Sequence, residues 1–140
     1  MTDAALRHVP VDLQEARVFL AVARGFLADA NAQGLRATGR QLLLFQACLA
    51  ACDAGLIAVG YKVEGSDGGH VLRFDATVEH LGLDAELLDE LHNAREVRTG
   101  SAYRAGLAFD EQADATAETA KRLLAAVAAL VESREADEDE

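Results

Sequence analysis

The chain has no tryptophan, two tyrosines and five phenylalanines in 140 residues. Its core therefore has to be built from aliphatic side chains. Proline occurs once, at Pro10, so no proline interrupts the long Ala- and Leu-rich stretches, and helix is favoured over a loop-rich fold. Cysteine is equally scarce. Cys48 and Cys52 lie four apart in an apolar helical pattern, poor geometry for a disulfide and too few ligands for zinc. They read as small core side chains in a reducing compartment. His8, His70, His80 and His92 lack metal-ligand spacing, so neither a metal nor a cofactor is expected. The Gly-rich stretch 64–69 follows a helix, carries two acids and lacks the Gly-Lys-Ser/Thr ending, so it is not a phosphate loop. No nucleophile elbow or paired Cys/His signature is present either.

What is abundant is apolar residues, 51% of the chain, and acids. The formal net charge of −11 is unevenly placed: residues 1–63 sum to +1 and residues 64–140 to −12. Such a balance repels phosphate backbones and anionic bilayers, so no DNA and no membrane partner is expected. Arg17, Arg24, Arg36 and Arg40 against Asp29 leave a locally basic stretch in the first third. Met1 to Ala5 has no basic and apolar leader, and a cytoplasmic location is expected. Leu42 to Tyr61 is apolar enough to be tested as a membrane span. Gln46 and Asp53 interrupt it, and a central Asp costs about 2.5–3.5 kcal/mol on insertion scales. A buried central helix accounts for it better.

Periodicity organises the rest into three parts: an N-terminal lead-in over 1–11, a helical domain over 12–132 and an acidic tail over 133–140. Asp12 is placed to cap a first helix running to about Ala32, with Leu13, Ala16, Leu20, Ala23, Leu27 and Ala30 in steps of three and four. Thr38 is expected to cap a second, to about Tyr61, apolar on most sides and therefore central. Its one acid, Asp53, is expected at an edge or paired with a basic side chain. Val71, Phe74, Val78 and Leu81 mark a short third helix closed by Gly82. Asp84 opens a fourth, which Gly100 ends or kinks, and Asp110 a fifth. No window shows strand alternation. The expected fold is all-α: an antiparallel, up-and-down four- or five-helix bundle with a short third helix.

Near the end of the fourth helical pattern stands Arg98-Thr99-Gly100-Ser101-Ala102-Tyr103. Before it come Ala16 to Ala21 in the first helix, Arg40-Gln41-Leu42-Leu43 and Gly60-Tyr61-Lys62 bounding the second, Gly68-Gly69-His70 opening the third, and Arg95-Glu96-Val97. In that order and spacing, the chain resembles the HEPN superfamily of small helical bundles over about Asp12 to Glu132. It looks like a divergent member, of actinobacterial type or toxin-related, with Tyr in place of the motif His. The resemblance implies a homodimer, RNA as the target, and metal-independent cleavage. An Arg would hold phosphate charge and a His would move protons for the ribose 2′-hydroxyl. By position, Arg98 takes the Arg role and Tyr103 stands where the His belongs.

An unperturbed Tyr, with a pKa of about 10, is phenolate in roughly one molecule per thousand at pH 7. Tyr103 is therefore better suited to donating a hydrogen bond to phosphate than to acting as a base. His92, one turn before Arg95 and Glu96, is the substitute proton carrier, while Arg95 and Arg104 are candidate phosphate-binding residues. Three readings follow. The first is a HEPN-like module with degraded catalytic chemistry, binding RNA, nucleotide phosphate or a protein in a toxin–antitoxin or defence-type setting. The second is a metal-independent ribonuclease using Arg98 with Tyr103 or His92. The third is an acidic, antitoxin- or immunity-like module whose residues 64–140 engage a basic protein.

Overall fold

A computed structural model describes residues 3–65, 68–103 and 110–138, with residues 98–103 described as backbone only. The protein is mostly helical, five helices with one two-stranded ribbon, in the order β1 (Ala5–His8), α1 (Leu13–Ala30), α2 (Ala37–Ala58), β2 (Tyr61–Glu64), α3 (Gly69–Leu81), α4 (Ala85–Tyr103) and α5 (Asp110–Glu138).

Helix α1 starts where the sequence places it. Asp12 has extended backbone, and its Oδ1 accepts the Glu15 N–H at 2.9 Å, a cap worth about 1 kcal/mol. The stripe Leu13, Ala16, Leu20, Ala23 and Ala30 is buried, and Leu27 is half-buried. Helix α2 is the hub, packing against each of the other four helices and against β2. Buried residues occur on most of its circumference, as an all-round apolar helix requires. It begins one residue before Thr38, with Arg36 in the N-cap position and making no side-chain cap bond. It is also the one described helix long and apolar enough to cross a membrane, and 72% of that window is buried inside the protein.

The strand pair corrects the expectation of a purely helical chain. Helix α2 stops at Ala58, and Tyr61–Glu64 pairs antiparallel with Ala5–His8 in the register Ala5↔Glu64, Leu6↔Val63, Arg7↔Lys62, His8↔Tyr61. Four-residue strands in which only Leu6, Tyr61 and Val63 are covered are too short to carry a readable period of two. Their partner lies more than fifty residues away, so the pairing is tertiary. The Arg7 guanidinium donates to both Glu64 carboxylate oxygens at 3.0 and 3.1 Å across the ribbon. Gly65 ends it at φ +90°, where a β-carbon would lie 2.5 Å from the Asp3 carbonyl oxygen, so a side chain there is excluded on both counts.

Gly82 closes α3 in the left-handed region at φ +66°, with the Leu83 N–H reaching back to the Val78 carbonyl at 3.0 Å. Helix α4 continues through Gly100 to Tyr103, so Gly100 does not end it. Helix α5 continues past 132 to Glu138. Its Glu135 accepts from the Arg17 Nε at 2.8 Å and from its terminal nitrogen, which fastens the acidic end to α1. The core is aliphatic, as expected, around one aromatic pair. Phe45 and Phe74 meet edge to face at 5.8 Å, and both are fully buried. Cys48 and Cys52 are free and buried beside them; burial pushes the Cys48 thiol far up and that of Cys52 to about 12.

Candidate functional site

Of the expected site residues, His92, Arg95, Arg98 and Tyr103 sit on α4. The side chains of Arg98 and Tyr103, and all of Arg104, lie outside the described residues. The backbone still constrains the arrangement, because α4 is helical through both positions. At about 100° and 1.5 Å per residue, positions 98 and 103 stand about 140° apart around the axis and about 7.5 Å along it. Positions 92 and 98 are about 120° and about 9 Å apart. A regular helix thus brings no two of the three positions onto one face within a turn.

His92 itself turns toward α3. Its Nε2 lies 2.9 Å from Asp75 Oδ1, and its ring meets the edge of Phe74 at 5.9 Å. The pair is partly exposed, with 27% of the His92 side chain and 50% of Asp75 open to solvent. Arg95 is half-buried one turn further on. His70 packs in the first turn of α3 against Phe45 at 5.3 Å. His8 and His80 flank the Tyr61 ring at 4.5 and 4.2 Å and hold the ribbon against α3. Among the described residues no three His, Cys, Asp or Glu side chains are grouped to hold a metal ion.

The structure assembles a different polar centre where α1, α2 and α3 meet. Asp53, the acid in the apolar α2, accepts the Arg73 Nε–H at 2.9 Å, with side chains 27% and 23% exposed. Desolvation raises the Asp53 carboxyl above its ordinary value, opposed by the charge and hydrogen bond of Arg73 and by the charge of Lys62. The sequence marked Asp53 as an acid expected at an edge or beside a basic side chain. It did not single out Arg73, which stands twenty residues on, beyond a helix end, a strand and a Gly-rich loop. The available signal was that an Arg three residues after His70 falls on the inward side of a short amphipathic helix.

Two cavities share this pair. One, of about 360 Å³, runs between α1 and α2, with Val18, Phe19, Val22 and Phe26 on one wall and Leu49 and Ala50 on the other. His70, Gln46, Asp53 and Arg73 supply its polar lining. The second, of about 120 Å³, continues past Phe19 toward Ile57, Tyr61 and Val63, with Glu15 and Lys62 at its charged edge. Val18 and Val22 are 52% and 44% exposed beside the larger cavity. A third cavity, of about 370 Å³ between α4 and α5, is lined mainly by small and polar side chains, including Ala94, Thr116 and Thr119. No family model, curated protein or solved structure matches the chain.

Proposed function

We propose that the protein is a HEPN-like helical binding module with degraded catalytic chemistry, and that its working surface is the α1–α2–α3 groove. The observation that carries this reading is Arg73. Asp53 takes its Nε–H, and this is the hydrogen bond seen for the guanidinium among the described residues. A half-buried cation with open donors, beside apolar walls, is the composition of a site that binds a ligand bearing acidic oxygens. The antiparallel up-and-down arrangement, the homodimer, a nucleotide, RNA or protein partner, and a toxin–antitoxin or defence-type setting belong to the same proposal. They rest on the resemblance over residues 12–132. A cytoplasmic location, read from the sequence alone, and binding roles for Arg95 and Arg104 belong to the proposal as well.

The ribonuclease reading has one observation in its favour. The Asp75 carboxylate beside His92 is the arrangement that orients an imidazole for proton transfer. Against it stands the continuous α4 helix, which turns position 98 away from 92 and 103 and sets 92 and 103 about 16.5 Å apart along the axis. Incubating the full chain with mixed short RNAs, with and without EDTA, beside Arg98→Ala and His92→Ala, decides between them. No cleavage is expected from any of the three. EDTA-resistant cleavage by the parent chain that is lost in either variant overturns the non-catalytic reading.

A further inference from the structure

We propose that the α1–α2–α3 groove is a binding site for a small amphipathic carboxylic acid. Its acid head meets Arg73 at the first turn of α3, and its apolar tail lies along Phe19, Val22, Phe26 and Leu49. The proposal rests on reading that groove as the working surface. The larger cavity, about 360 Å³, is within the range that small-molecule sites occupy, and its walls are apolar over most of their extent.

The sign of the head group follows from three features. First, Asp53 holds the guanidinium by Nε alone, which fixes the plane of the fork and leaves the four terminal N–H donors for another acceptor. Second, the guanidinium lies against the start of α3: a β-carbon on Gly69 would be 3.1 Å from Arg73 Nη1. There the N-cap residue, Gly68, has no side chain to offer the first-turn N–H groups, and the first turn holds no acid. The positive end of a thirteen-residue helix and a half-buried cation therefore stand together. Third, the one acid lining the larger cavity is Asp53, which Arg73 already engages, while Glu15 lines only the smaller one. The head consequently belongs at the His70–Arg73 end of the larger cavity. An ammonium head would have to take Asp53 from Arg73, and a hydroxyl would offer the terminal N–H donors only a neutral acceptor.

Octanoate, octylammonium and 1-octanol test the three head groups on one tail, by titration of the full chain with calorimetry and methyl-resolved NMR. Octanoate is expected to bind saturably at one site, moving the Val22 and Leu49 methyl resonances and the Arg73 Nε–H, with the other two weaker by about tenfold or more. Asp53→Asn is expected to tighten octanoate binding, because it removes the competing carboxylate and keeps the Arg73 donors. Arg73→Gln is expected to weaken it by about tenfold or more. Because Arg73→Gln leaves Asp53 without its cation, the double variant Asp53→Asn/Arg73→Gln supplies a neutral pair for the same comparison. Equal binding of octanoate and octanol, tighter binding of octylammonium, or weaker octanoate binding in Asp53→Asn overturns the head-group assignment while leaving the groove a binding surface. Methyl resonances that none of the three probes moves overturn both the assignment and the groove as the working surface.

Discussion

Gly55 tests the convergence of α2, α3 and α5 because it stands where they meet. A β-carbon there would lie 2.7 Å from Leu81 Cδ2 on α3 and 3.3 Å from Val127 Cγ2 on α5. The two neighbours differ in what they can give up. Leu81 is half-buried at the last residue of its helix, and its terminal methyl can rotate away. Val127 is fully buried in the core. Gly55→Ala gains about 1 kcal/mol of helix propensity and costs about 0.5–1.5 kcal/mol to drive Leu81 off its rotamer. The two cancel, and a change within about 1 kcal/mol of zero is expected. Gly55→Val keeps only a few tenths of the propensity gain and adds two γ-carbons against Val127, an overpacking cost of about 1–3 kcal/mol with no mobile end to absorb it. Urea titration followed by circular dichroism reads the difference. A loss of about 2 kcal/mol moves the midpoint by roughly 1 M at an ordinary slope. A Val variant with the parent's midpoint would mean that α3 and α5 do not meet over residue 55, and the reasoning fails with it.

Three further outcomes follow from burial and charge. Phe74→Ala removes the fully buried ring shared by Phe45 and His92 and is expected to cost about 3–5 kcal/mol, a large part of the 5–15 kcal/mol typical of a domain; Phe74→Leu should cost much less on the same titration. Cys48 and Cys52 are buried with raised thiol pKa values, so a thiol-disulfide reagent in mildly alkaline buffer should leave both untouched in the folded chain and modify both after unfolding. Rapid labelling of the native chain contradicts their burial. Asp53→Asn should stabilise the chain at neutral pH. The carboxyl is raised in the folded state, so the folded chain holds its proton to higher pH than the unfolded one, and stability falls as pH rises through that window. The variant's advantage in melting midpoint should therefore appear on going from acid to neutral pH, and an advantage that grows toward acid refutes the sign.

The parts of the fold legible in the sequence are those governed by local physics. A capping Asp12, the three-and-four spacing of α1, Gly82 after α3 and the start of α5 at Asp110 each involve residues within one turn of one another. The ribbon was not legible, because its four-residue strands acquire meaning only when Gly60 turns the chain back beside Val9. The end of α2 was misplaced for the same reason: Val59, Gly60 and Tyr61 continue the apolar pattern, and the competition that wins is strand pairing with His8. The start of α2 was expected at Thr38, a good cap by type, but Arg36, extended and without a side-chain cap bond, takes the N-cap position two residues earlier.

The candidate site divides along the same line. A sequence motif draws attention to α4, where Arg98 and Tyr103 are close in number but, on a continuous helix, not on one face. Asp53 drew less attention, as the one acid in a helix otherwise apolar enough to span a bilayer. Its folded-state pKa is raised even with Arg73 in contact, which means that desolvation outweighs the ion pair and that the charge costs the fold stability. A neutral or apolar residue would serve packing better at that position. What the charge does accomplish is geometric: it holds one nitrogen of Arg73 and turns the rest of the guanidinium toward an apolar groove at a helix start. On the proposed function, orienting that cation is what Asp53 contributes to binding. It also ties the stability of Asp53→Asn and its carboxylate affinity to one cause, so both should rise together.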